Sequence, residues 1–407
     1  MTSPDPILVV GSGPAGLASA LALHAAGHPV RILERYAHPK PAGNILNLWP
    51  PAIKALEEIG VDTDDIGAPC DSTFRSHKDK MRAHVNIPDD VVARYGGGFI
   101  GMLRPDLFTR MLDALPAGIL LSEKSVTSFT DRGDHVEVHL EDGTSLTTPL
   151  LIGADGINSS VRVSLFGETP IRDHNLHVIG GFTFDLPEGV DPRTAVIRHS
   201  RDVQGSYTGI RSAGKDGAEW WFVEAWDPEV PPPADLHAHS IELSKEFPAD
   251  LQQLILNSSD DHVIRWPIRD RGEPPKEWSK GRVALAGDAV HATSPYAAYG
   301  AGMSIVDGYF LGQVFAGIDL ADRAAVEGAL ARYTELRVEH CSEQVALAYM
   351  LGRTFHHIPK PARPLRDLML NNTAFLQKEV GDKNPTAITN QLQAMGEGLF
   401  SPAVAHR

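Results

Sequence analysis

Ile7-Leu8-Val9-Val10-Gly11-Ser12-Gly13-Pro14-Ala15-Gly16 is the stretch from which the rest of the chain can be read. Four branched apolar residues in a row predict a buried strand, and the Ala/Leu-rich run from Gly16 to about Ala26 predicts a helix. A second apolar run, Val30 to Leu33, completes a β-α-β unit. In the turn, Gly11 permits the tight bend, Gly13 lets the backbone approach a pyrophosphate, and Gly16 allows helix and strand to pack closely. Pro14 and Ala15 begin a helix whose N-terminus carries about half a positive charge, a ready site for phosphate. Glu34 closes the second strand, where an acid accepts hydrogen bonds from a ribose diol and repels a 2′-phosphate, and Arg35 after it is a further cofactor-binding candidate. The resident dinucleotide is therefore expected to be FAD or NAD rather than NADP. A ligand-free glycine turn and a solvated strand-end carboxylate are the plainer readings.

With 407 residues, the chain is long enough for a cofactor domain and a substrate domain. Lys plus Arg number 37 against 52 Asp plus Glu, and the resulting charge of −15 argues against nucleic acid or an anionic membrane as partner. The two cysteines, Cys70 and Cys341, are too few and too far apart for a disulfide framework or a zinc site. The start, Met1-Thr2-Ser3-Pro4-Asp5-Pro6, lacks a signal-peptide pattern, and no apolar run reaches the roughly 20 residues that span a bilayer. A cytoplasmic protein without a membrane segment is expected.

Further along, Leu107, Phe108, Met111, Leu112 and Leu115 fall on one helical face after Pro105. Strands are predicted at Val126-Phe129, Val136-Leu140 and Leu150-Ile152, and short aromatic-rich strands from Val178 to Trp226. One helix is predicted from Ser240 to Ile255, a strand from Trp278 to Ala286, and helices thereafter. The expected class is α/β: a Rossmann-like dinucleotide domain with an inserted β-sheet substrate domain and a helical C-terminal region. Its parts are expected at 1–175 and 271–360 for the cofactor, 176–270 for the substrate, and 361–407 for a tail packed on the body.

Two later segments choose between FAD and NAD. One is Gly153-Ala154-Asp155-Gly156-Ile157-Asn158-Ser159-Ser160; the other is Gly281-Arg282-Val283-Ala284-Leu285-Ala286-Gly287-Asp288-Ala289-Val290-His291, leading through Pro295 to Gly300-Ala301-Gly302 before a helix. With the first fingerprint, in this order and over nearly the whole chain, they resemble the class A flavoprotein monooxygenases, the family of para-hydroxybenzoate hydroxylase and salicylate hydroxylase. The resemblance implies that Gly11, Gly13 and Gly16 hold the FAD pyrophosphate, that Asp155 and Gly156 serve FAD and NAD(P)H, and that Gly287 and Asp288 bind the ribityl chain. It further implies that Arg104 contacts FAD, that Val126 faces the adenine, and that the loop and helix start at Pro295, Gly300, Ala301 and Gly302 lie against the isoalloxazine. The implied chemistry is hydroxylation of a small aromatic substrate with NAD(P)H as transient donor and molecular oxygen, through a flavin hydroperoxide.

Tyr296, Ala297 and Ala298 depart from the salicylate hydroxylase branch, which commonly carries His, Gln and Gly there, so salicylate itself is not expected as substrate. Phe182, Phe184, Tyr207, Trp220 and Phe222 are candidates to wall a pocket for a planar ring, although alternate strand residues face opposite ways and core packing is the plainer reading for each; Arg211 is a candidate to meet an acidic or phenolate group, with a solvated edge arginine the equal alternative. No side chain is singled out as acid or base, and no histidine as a metal ligand. Asp288 is expected to matter for FAD retention and Asp270 is not. A flavin dehydrogenase or reductase of the same fold, or a flavin-containing sequestering protein, are the rival readings; the oligomer, monomer or homodimer, stays open.

Overall fold

A computed structural model describes residues 5–40 and 43–400. Ile7–Val10 is wholly buried and takes a central place in a six-stranded sheet, ordered Ser279–Lys280, Val283–Leu285, Leu151–Gly153, Ile7–Val10, Val30–Leu33 and Leu120–Leu121. All neighbours are parallel except the first pair. The carboxyl ends of Ile7–Val10, Val30–Leu33 and Leu151–Gly153 open together, where such sheets bind ligands. The helix Pro14–Ala25 lies against the helix Gly300–Phe315, and both are buried nearly all round. Their closeness depends on two missing side chains: a Cβ on Gly308 would lie 2.4 Å from the Ser19 backbone nitrogen, and one on Gly312 would lie 2.6 Å from Ala22 Cβ.

A nine-stranded sheet forms the other half of the molecule, and more of the chain enters it than residues 176–270. Arg172–Thr183, Lys215–Ala225, Gln204–Ser212 and Thr194–His199 follow one another antiparallel, with Ile264–Asp270 at the edge. Thr194–His199 then pairs parallel with Ala68–Ser76, which leads on to Phe99–Leu103 and Ile45–Leu48. These earlier strands escape a reading by apolar alternation because Ala68–Ser76 buries Ser72, Thr73 and Ser76 along with Cys70 and Phe74. The helix predicted over 240–255 is two, Leu236–Ser244 and Ala249–Leu256, since Pro248 cannot donate a backbone hydrogen bond and starts the second. Val126–Asp131, Val136–Leu140 and Ser145–Thr148 make a separate three-stranded antiparallel sheet.

The 34-residue helix Arg323–His356 and the shorter helices after it pack on the body. Arg82 Nε donates to Asn371 Oδ1 at 2.8 Å, and Arg337 Nη1 to Gln391 Oε1 at 2.7 Å. Among the described residues no helix is long and apolar enough to cross a membrane.

Asp270 is no neutral comparison for Asp288. Its carboxylate accepts from Arg172 Nε and Nη2 at 2.8 and 2.7 Å and pairs with His174 Nε2 at 2.7 Å. Burial raises its proton affinity, but His174, Arg172 and the Gly272 N–H outweigh this and hold its pKa at about 2. A carboxyl lowered on folding contributes stability above its unfolded value of about 4 and loses it as pH falls toward the folded one. Asp270→Asn should therefore lower the urea midpoint at pH 7, with the gap from wild type closing as pH is brought from about 4 toward 2. A gap that widens on acidification would contradict the pairing.

Candidate active site

The glycine turn, the end of Val30–Leu33 and the Asp155 loop enclose a cleft of about 380 Å³. A Cβ on Gly16 would meet the Gly11 carbonyl oxygen at 1.9 Å, and one on Gly11 the Ala154 carbonyl oxygen at 2.6 Å, so these two glycines pack the turn. Gly13 differs: no protein atom lies within 4 Å of where its Cβ would stand, and it lines the cleft with Pro14. That vacant cradle at a helix N-terminus fits a pyrophosphate. Ala15 lies beneath the turn, against Gly287, whose Cβ would approach Ala15 Cβ to 2.6 Å.

Glu34 helps build the turn. Its Oε2 accepts from the Ser12 N–H and hydroxyl at 2.9 and 2.7 Å, and its Oε1 from the Tyr36 N–H at 2.9 Å, leaving part of Oε1's capacity for a ligand. Arg35 and Val126 line the same cleft. Asp155 caps the helix Ser160–Phe166: its Oδ2 accepts from the Ser160 and Val161 N–H groups at 2.8 and 3.3 Å, while Oδ1 is buried without a partner.

Arg104 is at the join, lining both this cleft and a second cavity of about 470 Å³ walled by the nine-stranded sheet, the segment from Asp288 to Ala301, and Leu351 and Phe355 of the long helix. Burial lowers the pKa of Arg104, and the Asp288 carboxylate works against that. Asp288 lies deep in the molecule yet its side chain is open to the cavity. Burial raises its pKa, with His291 and Arg104 opposing. Gly287, at φ +62°, is pinned by its N–H donating to Asp307 Oδ2 at 2.8 Å. Asp307 also pairs with His291 Nε2 at 2.6 Å and Arg337 Nε at 2.8 Å, all three fully buried. Burial opposes charge on His291, but Asp307 outweighs it and holds the imidazole's pKa well up. Pro295, Gly300 and Ala301 reach the cavity wall; Gly302 turns instead toward the Tyr299 ring, which its Cβ would meet at 2.7 Å.

The aromatic candidates divide by sheet face. Trp220 and Phe222 are buried among Phe247, Leu251 and Leu254 of the helix pair, with Trp220 Nε1 donating to Ser258 Oγ at 2.8 Å. Tyr207, directly opposite Trp220, shares that core and donates to Asp250 at 3.2 Å. Phe182 stacks on His262 at 4.0 Å and Phe184 is exposed beside it, while Arg211 pairs with Asp65 and Asp216 near the surface. None of these six lines the cavity. The intervening residues do: Glu219, Trp221 and Val223 face it, because covering one face with helices leaves the odd-numbered positions to the other. Ala297 is packed into the main core, so enlarging it would strain the interior rather than the pocket; Tyr296 and Ala298 are the loop residues on the cavity wall.

Ala298 stands at φ +48°, in the left-handed region that favours glycine. Ala298→Gly should keep the fold, changing stability by no more than about 1 kcal/mol in a thermal melt. Burial alone pushes the Tyr296 hydroxyl's pKa well up, and that oxygen has no hydrogen-bond partner.

Sequence reasoning passed over Glu219, Trp221, Asn47, Gln204 and His199, all on the cavity wall. Period-two counting would group 219, 221 and 223, but not say which face the helices cover. Both oxygens of Glu219 are engaged, Oε2 by the Leu46 N–H at 3.0 Å and Oε1 by Asn47 Nδ2 at 2.7 Å. Burial drives its pKa well above the ordinary carboxylate range against both contacts. His199, stacked on Phe355 at 3.5 Å, is held neutral by burial, with Arg82 adding to the effect.

Residues 5–348 match the family model described as FAD binding domain. The chain belongs to this family of FAD-dependent monooxygenases. The flavoprotein is similar to 6-hydroxynicotinate 3-monooxygenase of Pseudomonas fluorescens, 29% identical over 84% of this chain and 90% of that protein. It is also similar to the FAD-dependent urate hydroxylase of Klebsiella oxytoca, 27% identical over 84% and 88%. Its fold matches Klebsiella pneumoniae HpxO, solved with FAD and uric acid, at a TM-score of 0.80 and 23% identity over 95% of this chain and 97% of that one. A salicylate hydroxylase substrate complex superposes at 0.71 with 20% identity over both full chains. Its cofactor is FAD.

Proposed function

We propose that this flavoprotein hydroxylates a small planar aromatic or heteroaromatic compound, with electrons from NAD(P)H and one oxygen atom from O2. The observation that carries the reading is Arg104, which lines both the dinucleotide cleft and a cavity walled by Trp221, Phe74, Phe99, Phe355 and Asp288. Relatives named for hydroxynicotinate, urate and 3-amino-4-hydroxybenzoate all act on rings of this size. Bound FAD would supply the redox chemistry.

The chain's own part is positioning and shielding. Gly11, Gly13, Pro14 and Gly16 would seat the pyrophosphate, Glu34, Arg35 and Val126 the adenosine end, and Asp155, Asp288 and Arg104 the middle. Pro295, Gly300 and Ala301 would border the ring system, with backbone N–H groups at the helix start aimed at developing negative charge. The aromatic walls keep water from the reacting centre and hold a flat ring. Two buried cysteines outside any disulfide support a cytoplasmic location.

The test is a panel of aromatic compounds added to FAD-loaded protein under 18O2, following NAD(P)H oxidation and product mass. A compound that accelerates oxidation and gains one labelled oxygen is expected. Accelerated oxidation with no labelled product from any compound would favour a reductase instead.

A further inference from the structure

On the sheet side of the aromatic cavity stands one carboxyl, Glu219, a fully buried residue of the cavity lining. Each of its oxygens accepts one hydrogen bond, from Leu46 N–H and from Asn47 Nδ2, and each retains capacity for another partner. Nearby oxygens are buried and unpartnered: Asn47 Oδ1 and Gln204 Oε1 on the cavity wall, and Thr208 Oγ1 on the residue directly opposite Glu219 in the next strand. Amide oxygens accept and do not donate, and buried acceptors are ordinarily matched. The two unmatched amide oxygens suit a ligand that brings donors.

The cavity's cations are engaged elsewhere. Arg265 Nε donates to His177 Nδ1 and Arg269 Nε to Asp173, both along the edge strand Ile264–Asp270. Arg104 stands at the cofactor junction beside Asp288. The remaining titratable groups on the wall, His199, Tyr296 and Tyr299, are held uncharged by burial.

We propose that Glu219, positioned by Leu46 and Asn47, receives the hydroxyl or ring N–H of the substrate and makes the enzyme select uncharged, hydrogen-donating rings over ring carboxylates. The assignment rests on reading this cavity as the hydroxylation site. A carboxylate turned toward the patch meets a carboxyl and two amide oxygens with no cation among them, whereas a phenol or lactam meets acceptors. Burial keeps the Glu219 proton on to a higher pH than an exposed carboxyl would, against the Leu46 and Asn47 contacts. As pH rises through that raised value, the group becomes an anionic and stronger acceptor.

The experiment uses FAD-loaded, full-length protein with 2-naphthol, followed by its fluorescence, and 2-naphthoate as the charged counterpart. Wild type should bind 2-naphthol at least about tenfold more tightly than 2-naphthoate at pH 7. Its affinity for 2-naphthol should also rise with pH until the naphthol itself ionises. Glu219→Gln, checked for melting temperature and FAD content, should lose roughly tenfold in 2-naphthol affinity and flatten that rise. The wild-type profile needs no variant, so a poorly folding substitution leaves the assignment testable. Failure of wild type to bind 2-naphthol, a preference for 2-naphthoate, or an unchanged profile in Glu219→Gln would overturn it. If the binding results hold but no compound yields labelled product, the assignment of Glu219 is supported and the hydroxylation reading fails.

Discussion

Asp307→Ala is expected to destabilise the protein by about 3–5 kcal/mol and to lose FAD with it. The carboxylate stands between two fully buried cationic partners, with His291 Nε2 at 2.6 Å and Arg337 Nε at 2.8 Å. Removing it leaves both partners buried without their counterion, the circumstance in which breaking an ion pair costs most. The same substitution frees the Gly287 N–H and unpins the loop that presents Asp288 to the second cavity. Arg337 also donates to Gln391 Oε1 and the Met303 carbonyl oxygen, so the damage should spread to the C-terminal helix and to the helix at Gly300. Urea unfolding followed by tryptophan fluorescence, with FAD content measured alongside, reads both effects. Asp307→Asn keeps one acceptor oxygen, replaces the other with an NH2 donor and removes the charge, and should fall between wild type and alanine. A loss below about 1 kcal/mol for alanine would mean that the network holds little of the fold.

Two valine substitutions three residues apart in the same turn should fail in different ways. Gly16→Val drives a side chain into the Gly11 carbonyl oxygen, 1.9 Å from the new Cβ, and backbone cannot move aside as a flexible side chain can. Little folded protein is expected, or a melting temperature many degrees lower. Gly13→Val meets no protein atom within 4 Å, and Gly13 at φ −69° already has a backbone conformation open to any residue. That variant should fold, melt near apo wild type, and bind FAD roughly a hundredfold more weakly, because the valine occupies the phosphate's place and blocks charge-assisted contacts to the turn. Wild-type FAD affinity in Gly13→Val would remove the pyrophosphate from this cradle.

Local features were legible and long-range ones were not. The glycine turn, Glu34 and the Gly287-Asp288 loop are read from short patterns whose geometry is set within a few residues. The cavity wall depends on which sheet face the helices Leu236–Ser244 and Ala249–Leu256 cover, and that choice sends Trp220 and Phe222 inward and Trp221 to the cavity. Arg211 finds Asp65, 146 residues earlier, and no local reading anticipates that pairing. The strand Ala68–Ser76 hides behind buried hydroxyls, and the break at Pro248 was available from sequence but outweighed by the apolar run around it.

The contact of Gly308 and Gly312 with Ser19 and Ala22 makes the molecule a caliper. One jaw is the start of Pro14–Ala25 at the first cleft, the other the start of Gly300–Phe315 at the second cavity. Sliding one helix along the other by a turn, about 5.4 Å, would take both glycines off the residues they accommodate and set side chains against backbone. The span between the jaws is therefore fixed before any cofactor arrives, and it measures molecules by length. A mononucleotide such as FMN carries the ring but not the reach, and would engage one jaw only.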